Sequence, residues 1–304
     1  MNILLIGGGG FLGLNIAKAL CLSEHVVHIA DLNNKTYIGL SGKENVQIHQ
    51  LDCANVDSVL NLIEALKIEC VINLASSLIP SSSYDAFAQE WTKVVEPAFR
   101  LLNELAIRNI KYIYFSSGGA IYGECDQQSV IETSPKTPIN YYGLSKSLFE
   151  ECILFVSRTR GLNYIIVRPS NAFGLFQNPS KKQGLIAVAV ERIKNKQPIE
   201  IWGDGLVVRD YIWAGDIAQG LANLIDRNLW GEIYNFGSGV GHSINTVLEM
   251  IQAQMGIEAE VIYTPARSVD VSHIVLDIQK IQSAIPFHPI SLEEGIALYL
   301  DSLS

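Results

Sequence analysis

The fold is decided by residues 2–13, NILLIGGGGFLG. The apolar run at 2–6 predicts a strand buried in the centre of a parallel sheet, and the glycines predict a tight turn into a helix over 12–21. The free N–H groups at the start of such a helix favour a pyrophosphate, which glycines allow to approach closely. A plain turn is the alternative for a glycine-rich loop taken alone. We expect the phosphates of a dinucleotide to contact Gly7, Gly10, Phe11, Leu12 and Gly13.

Outward from this stretch, short apolar strands alternate with helical segments. The predicted strands lie at 26–30, 46–50, 70–74, 112–116 and 164–168. The predicted helices lie at 56–66, 87–106 and 142–158. Repeated strand–helix units at this spacing predict an α/β protein with a Rossmann-type, doubly wound parallel sheet that is covered on both faces.

The regularity changes after residue 168. Glycine, proline, asparagine and glutamine are frequent up to residue 205, and the chain beyond predicts a smaller, mixed α/β C-terminal substrate lobe. The segments predicted after residue 168 are helices at 185–195, 216–224, 246–255 and 292–300 and strands at 233–236 and 259–263. We expect one domain to comprise 1–168 plus about 207–239, and the lobe to comprise 169–206 plus 240–304.

The bulk composition argues against several classes of protein. The 304 residues are 48% hydrophobic, which is enough for a sizeable core, but no stretch approaches the roughly 20 uninterrupted apolar residues of a membrane span. A net charge of −9 argues against a nucleic-acid partner, which needs a basic surface. No signal-peptide pattern opens the chain, and the five cysteines lack metal-ligand spacing. We expect a cytoplasmic protein with no metal, no nucleic-acid partner and no membrane association.

Two carboxylates follow predicted strands near the glycine loop. Asp31 stands at the end of the second strand, where a carboxylate accepts both hydroxyls of an adenosine ribose and repels a 2′-phosphate. This placement favours NAD over NADP. Asp52 ends the third strand, where it either meets the adenine edge or caps the helix from Val56 onward.

A second pair of residues carries reactive chemistry. Tyr142 and Lys146 are four residues apart at the start of a predicted helix, which places them on one face. A lysine ammonium near a phenol lowers the pKa of the phenol, so that the tyrosine becomes a usable base near neutral pH. A solvated helix face is the alternative. The position after the fifth strand, at the carboxyl edge of the sheet, favours a place beside a nicotinamide.

The chain resembles the extended short-chain dehydrogenase/reductase superfamily, and most closely its UDP-glucose 4-epimerase-like branch. The motifs that carry the resemblance are GGGGFLG at 7–13, SSGGAIYG at 116–123, YYGLSK at 141–146, RPSNAFG at 168–174, IWGDGLVVRDYIWAGD at 201–216 and PARSVDV at 265–271. The resemblance implies that Tyr142 is the acid/base and that Lys146 binds the nicotinamide ribose. The cofactor site further comprises Leu32, Cys53, Leu74, Ala75, Ser76, Ser116 and Pro169.

The resemblance also implies a nucleotide-sugar site in the smaller lobe. Asn171 resembles a substrate-contacting asparagine or else caps a loop, and Trp202 resembles the wall beside uracil or else belongs to the core. Arg209 and Arg267 resemble pyrophosphate clamps, with surface salt bridges as the alternative. Asp270 is a position near the ribose or a structural partner. The backbone around Gln183, Gly184 and Leu185 resembles the segment that holds the nucleotide.

Three departures from the family pattern concern the chemistry. Gly118 stands where relatives usually carry a serine or threonine that hydrogen-bonds the reacting sugar, and Ala120 stands where some carry a threonine. Ser117 is the nearest hydroxyl that could substitute. Val94 stands where relatives often have an asparagine, and small residues replace a histidine-led loop at 73–77.

Two reactions fit these residues. A dehydratase needs an Asp-Glu pair where this chain has Gly119-Ala120, and decarboxylases usually carry a glutamate there. C4 epimerisation of a UDP-hexose through a 4-keto sugar is favoured over 4-reduction of a 4-keto-6-deoxy sugar nucleotide, because Asp31 disfavours NADPH. A catalytically impaired NAD-binding sensor is the non-enzymatic alternative. We expect a homodimer through the helices at 87–106 and 142–158.

Overall fold

The large sheet of the protein has seven parallel strands. The computed structural model describes residues 1–33, 40, 44–124, 128–178, 184–266 and 271–303. The strands are β1 (Asn2–Ile6), β2 (Val26–Asp31), β3 (Val46–Gln50), β4 (Cys70–Asn73), β5 (Lys111–Phe115), β6 (Tyr164–Pro169) and β10 (Glu232–Phe236). Their order across the sheet is β3-β2-β1-β4-β5-β6-β10. The strand order reverses between β1 and β4, and a cleft at the carboxyl ends of such strands is where ligands bind.

Both faces of this sheet are buried by helices. Ile3 and Leu5 point into one apolar cluster, and Leu4 and Ile6 point into another on the opposite face, as the two-residue period of a strand requires. The first face packs on α1 (Phe11–Leu22), α7 (Ala214–Asp226) and α9 (Gln279–Ala284), and the second on α2 (Val56–Leu66), α4 (Glu96–Ile107) and α5 (Tyr141–Arg160). The predicted Rossmann-type doubly wound sheet is confirmed.

The predicted helix at 87–106 differs from the observed structure. The helical segment begins earlier, as α3 (Tyr84–Glu90), and continues through a π-helical turn (Trp91–Val95) before α4. Pro97 stands at the start of α4 and has no N–H to donate to the preceding turn. Such π-turns inside helices are frequent at functional sites, and this one directly follows Glu90.

The smaller lobe has its own apolar core and two small sheets. Strand β9 (Val208–Trp213) pairs with β7 (Asn171–Phe173), β11 (Gly241–Ser243) and β13 (His273–Ile274), while β8 (Ile199–Trp202) pairs with β12 (Val261–Thr264). Helices α6 (Leu185–Lys194), α8 (Ile244–Met255) and α10 (Leu292–Asp301) contribute to the core of the lobe. Strands β7, β8, β9, β11 and β13 were not predicted from the sequence. All but β9 have four residues or fewer, and β9 has six.

The chain also returns to the large sheet near its end. Helix α9 contacts β10, and Ile281 and Phe287 belong to the apolar cluster on the first face of the large sheet. None of the helices within the described ranges combines the length and apolarity that a membrane crossing requires.

Candidate active site

The glycine loop after β1 is shaped for close approach of a ligand. Gly7 has a φ of +73°, and a Cβ there would lie 3.1 Å from the backbone nitrogen of Ala75. A Cβ at Gly13 would lie 2.4 Å from the carbonyl oxygen of Gly8, so α1 also needs glycine to pack on the loop. Gly10 caps α1 without a side-chain hydrogen bond. The N–H groups at the start of α1, beside Phe11 and Leu12, therefore suit an anion.

Asp31 lies against this loop. It is the last residue of β2, and its Oδ2 accepts a hydrogen bond from the Gly9 N–H at 3.1 Å. The neighbouring Leu32 is exposed. The carboxylate is thereby fixed beside the place where the glycines admit a dinucleotide.

Asp52 does not cap the following helix. The cap of α2 is Asn55, whose side chain accepts a hydrogen bond from the Ser58 N–H. Asp52 instead accepts one from the Ala54 N–H at 2.9 Å. The helix-cap alternative for Asp52 is therefore wrong, because the capping position lies three residues later. Cys53 is partly buried, and burial raises the pKa of its thiol.

The loop after β4 approaches the glycine loop. Asn73 is buried; its Oδ1 accepts from the Ala75 N–H at 3.0 Å and its Nδ2 donates to the Tyr112 hydroxyl at 2.7 Å. This holds Leu74 and Ala75 next to Gly7. The serines that follow donate three hydrogen bonds to Glu90: Ser76 Oγ at 3.0 Å, Ser77 N at 3.0 Å and Ser77 Oγ at 2.5 Å.

Helix α5 carries the reactive pair. Asn140 caps the helix by accepting from the Gly143 N–H at 2.9 Å, which fixes Tyr142 in the first turn and Lys146 one turn later. Lys146 is buried, and its Nζ donates to the Phe115 carbonyl oxygen at 2.8 Å. The same Nζ lies 5.7 Å from the centroid of the Tyr142 ring. The predicted neighbourhood of phenol and ammonium is present in the structure.

The predicted lowering of the Tyr142 pKa is wrong for the protein without ligands. Burial raises the pKa of Tyr142, while a hydrogen bond with the Ser117 hydroxyl lowers it in part. Burial lowers the pKa of Lys146 to about 8, against the raising effect of Glu90 and Glu150. The spacing of Tyr142 and Lys146 indicates the effect of the ammonium on the pKa of the phenol, but it does not reveal the desolvation that acts on both groups.

Two serines follow β5 directly below this pair. The Ser117 side chain lowers the pKa of Tyr142, which places its hydroxyl beside the phenol. Ser116 Oγ is buried and has no hydrogen-bond partner among the described residues. A Cβ at Gly118 would lie 2.5 Å from Leu276 Cδ1 and 3.1 Å from the Arg168 carbonyl oxygen, so a side chain there would require Leu276 to shift. Pro169 completes this corner by accepting from the Gly118 N–H at 2.8 Å.

The residues predicted to bind substrate lie on β7, β8 and β9, outside the large sheet. Asn171 opens β7, and its Nδ2 donates to the Asp210 carbonyl oxygen at 2.9 Å, so the amide has a structural bond, as the loop-capping alternative required. Trp202 ends β8 and is 45% exposed. The core alternative for Trp202 is therefore wrong. Arg209 lies on β9 and donates to the Val208 carbonyl oxygen.

The nucleotide-holding segment is described only in part. Gly184 has a φ of +84° and caps α6 without a side-chain hydrogen bond, and Leu185 is the first residue of that helix. Gln183, Arg267 and Asp270 lie outside the described residues.

Several buried groups at this site were missed by the sequence analysis. Glu90 is 3% exposed, and Glu150 on α5 is fully buried. Glu150 accepts hydrogen bonds from Arg168 Nε at 2.9 Å and Nη2 at 2.7 Å, which ties α5 to β6 one turn beyond Lys146. Asp210 accepts from Ser170 and from the Ser238 and Leu276 N–H groups. No local motif marks these contacts, although Val94, in place of the usual asparagine, drew attention to the segment that contains Glu90.

The residues present fit a bound dinucleotide. The glycine loop leaves little space for a side chain at Gly7 and Gly13, the N-terminus of α1 has no side-chain cap, and the buried Ser116 hydroxyl lacks a partner among the described residues. Together, the fold and the site define a dinucleotide-binding protein with a reactive tyrosine, lysine and serine at the carboxyl edge of its sheet.

Comparison with known proteins identifies the family. The model of the NAD dependent epimerase/dehydratase family matches residues 3–237, and the chain belongs to this family. NAD is its cofactor, and the expected resemblance to the UDP-glucose 4-epimerase-like branch is confirmed.

Individual relatives agree along the whole chain. A putative UDP-glucose 4-epimerase of Methanocaldococcus jannaschii is 34% identical over 97% of this chain and 95% of its own length. The UDP-glucose 4-epimerase of Thermotoga maritima, solved with UDP-glucose, is 28% identical with a TM-score of 0.91, covering 100% of this chain and 98% of its own. The Thermus thermophilus UDP-glucose 4-epimerase, solved with NAD, is 26% identical with a TM-score of 0.90, covering 99% and 98%.

Proposed function

We propose that this protein epimerises C4 of a nucleotide sugar of the UDP-hexose type through a transient 4-keto sugar. The observation that carries the proposal is the cluster of Tyr142, Lys146 and Ser117 at the carboxyl edge of the large sheet. The similarity to UDP-glucose 4-epimerases over nearly the whole chain supports the same activity.

The chain provides the proton chemistry. When bound, NAD supplies a reversible hydride acceptor for the sugar carbon. Tyr142 takes the proton of the sugar hydroxyl and returns it when the carbonyl is reduced on its other face. Ser117, which lies beside Tyr142 and lowers the pKa of the phenol, aligns the sugar hydroxyl with it. Because the proton is taken and returned at one atom, a single acid/base residue suffices for both halves.

Lys146 and Tyr142 act as a coupled pair. The active form needs a phenolate on Tyr142 and an ammonium on Lys146, so it carries one proton fewer than the fully protonated pair. Burial lowers the pKa of Lys146 and raises that of Tyr142, so the first proton leaves the pair at about the lower pKa. The pair that has lost one proton exists either as phenolate and ammonium or as phenol and amine. The ratio of these two forms does not change with pH.

The cofactor is held by the glycine loop and by the loops that follow the strands. Asp31 would accept the adenosine ribose hydroxyls, Asp52 and Cys53 would line the adenine, and Leu74, Ala75 and Ser76 would lie along the pyrophosphate and nicotinamide. The position of Asp31 against the Gly9 N–H supports NAD rather than NADP.

The nucleotide sugar would lie between the two lobes. Trp202 offers an exposed apolar wall to the base, Arg209 a guanidinium to the pyrophosphate, and Asn171 its amide oxygen to the sugar. Gln183, Arg267 and Asp270 remain part of the proposal on the strength of the family resemblance. We also propose that the chain divides into one domain of 1–168 plus about 207–239 and a lobe of 169–206 plus 240–304.

We further infer a cytoplasmic homodimer that pairs through α4 and α5. Phe155 on α5 is 49% exposed and Leu148, two turns earlier, is 36% exposed, which leaves an apolar face on this helix. Sedimentation equilibrium should give twice the monomer mass for the protein and the monomer mass for Phe155→Asp. A monomeric parent protein would contradict this assembly.

The experiment that tests the proposed function is product analysis with a panel of sugar nucleotides and no added cofactor. For an epimerase, NMR should show conversion of UDP-glucose to its C4 epimer, with no net change in the amounts of NAD⁺ and NADH. In a parallel assay with added NADH, stoichiometric oxidation of NADH by a 4-keto-6-deoxy sugar nucleotide would instead identify the reductase. Nucleotide binding without conversion of any sugar would identify the sensor.

A further inference from the structure

Glu90 is a buried carboxylate that the proposed proton chemistry does not use. It is 3% exposed and stands at the end of α3, directly before the π-helical turn. The three hydrogen bonds that it accepts from Ser76 and Ser77 reach both of its oxygens. Glu90 therefore brings a carboxylate into the interior with hydrogen-bond donors on both of its oxygens.

This charge faces the reactive end of the site. Glu90 lines the same small cavity as Asn73, Ala75, Val94 and Lys146. Its charge raises the pKa of both Tyr142 and Lys146. Among the described residues, the other charge that raises the pKa of Lys146 is Glu150 on its own helix.

The position of the charge has a consequence for the cofactor. Oxidised NAD carries a positive charge on its nicotinamide ring, and reduced NAD does not. Where the medium around a ring is poorly screened, a nearby carboxylate stabilises the charged form over the neutral form. The loop that Glu90 holds, Leu74 to Ser77, is the same one that contacts the glycine loop.

We propose that Glu90 is a positioning residue that biases the bound cofactor toward its oxidised state. The inference rests on the proposed function, because Tyr142 and Lys146 mark where the nicotinamide binds. An epimerase must begin each turnover with NAD⁺, whereas a reductase must begin with NADH. Glu90 therefore fits the epimerase of the two reactions.

The test compares the dissociation constants of NAD⁺ and NADH in binding titrations. Glu90→Gln keeps the size and an acceptor oxygen but removes the charge. We expect the ratio of affinities to shift toward NADH by about tenfold, which raises the midpoint potential of the bound two-electron couple by about 30 mV. Glu96→Gln, an exposed residue in the same helical segment, should leave the ratio unchanged.

Two further variants separate charge from loop support. Ser77→Ala weakens the hold on the loop and should change the affinities of both forms equally. If Glu90→Gln does not fold, the triple variant Ser76→Ala, Ser77→Ala and Glu90→Met removes the carboxylate together with the two hydroxyls that donate to it. Only the Ser77 N–H then loses its acceptor, and the same shift is expected.

An unchanged ratio in a folded variant that lacks the Glu90 charge would overturn the proposal. Because the titrations need no turnover, this result is independent of which sugar reaction the protein performs. Conversely, a failure to epimerise any sugar nucleotide would sink the proposed function and leave the measured ratio standing.

Discussion

The cofactor edge of the large sheet and the substrate face of the smaller lobe are built differently. At the cofactor edge, backbone meets backbone: Gly7 lies against Ala75, and Gly13 against Gly8. On the substrate face, long side chains such as Trp202 and Arg209 project from short strands of the smaller lobe. At Gly7 and Gly13 the first region leaves too little space for a Cβ, whereas the second can change its side chains without changing its backbone. The difference implies that the first sets the chemistry and the second sets the choice of substrate.

The largest effect at the cofactor edge is expected from a substitution of Tyr142. Tyr142→Phe removes the proton acceptor but keeps the ring, so we expect kcat to fall by about 10³-fold while NAD affinity stays within about twofold. Tyr141→Phe, its exposed neighbour on the same helix, is the matched control and should keep kcat. Steady-state assays with the converted sugar nucleotide measure both. A Tyr142→Phe variant with full activity would remove this residue from the mechanism.

Ser117 comes next in expected effect. Ser117→Ala removes the hydroxyl beside Tyr142, and loss of one donor to the reacting sugar lowers kcat by about 10²-fold. Adding Gly118→Ser should not restore activity, because Leu276 occupies the space that its Cβ needs. Comparison of kcat in the single and double variants checks this. Full recovery in the double variant would show that position 118 is open to a hydroxyl after all.

Asp31 tests the cofactor end of the same edge. Asp31→Ala removes the carboxylate expected to accept two ribose hydroxyls, which should weaken NAD binding by about thirtyfold and relax the preference over NADP. Titration of both dinucleotides measures the change, with Asp57→Ala, an exposed acid on α2, as the control. An unaltered preference for NAD would exclude Asp31 as the selecting residue.

The pH dependence of kcat/KM reports the pH at which Tyr142 and Lys146 together lose one proton. Since the pair must lose one proton and the pKa of Lys146 is about 8, kcat/KM should rise with pH and level off above about 8. At pH 7 it should be about tenfold below the plateau. A profile that is already flat at pH 6.5 would contradict the order in which Lys146 and Tyr142 release protons.

The smallest expected effect lies on the substrate face. Trp202→Ala removes an exposed ring from the proposed base-binding wall and should raise the KM for UDP-glucose by about fivefold, with kcat and NAD affinity unchanged. Trp230→Ala, a tryptophan that contacts Lys111 at the far end of the large sheet, should leave KM as it was. A fall in kcat for Trp202→Ala would mean that the two regions are not separable as described.

How far the sequence predicts the site differs between the same two regions. The glycine loop, Asp31 and the Tyr142–Lys146 spacing are local patterns, and each lies where it was expected. Outside the large sheet, β12 overlaps the strand predicted at 259–263, whereas β7, β8 and β9 were missed because they depend on pairing with distant segments.

The remaining surprises come from burial. The direction of the Tyr142 pKa depends on desolvation, which no residue spacing reveals. Glu90, Glu150 and Asp210 are polar residues that the fold buries with partners far away in the chain. Reading a sequence for charged surface residues leaves such groups unrecognised until the packing is known.

The central claim is that hydride leaves and returns to one sugar carbon while Tyr142 handles only the hydroxyl proton. UDP-glucose carrying deuterium at C4 tests it when incubated in ordinary water without added cofactor. We predict a C4-epimerised product that retains the deuterium at C4, measured by NMR and mass spectrometry. Loss of the deuterium to water in an epimerised product would contradict the account.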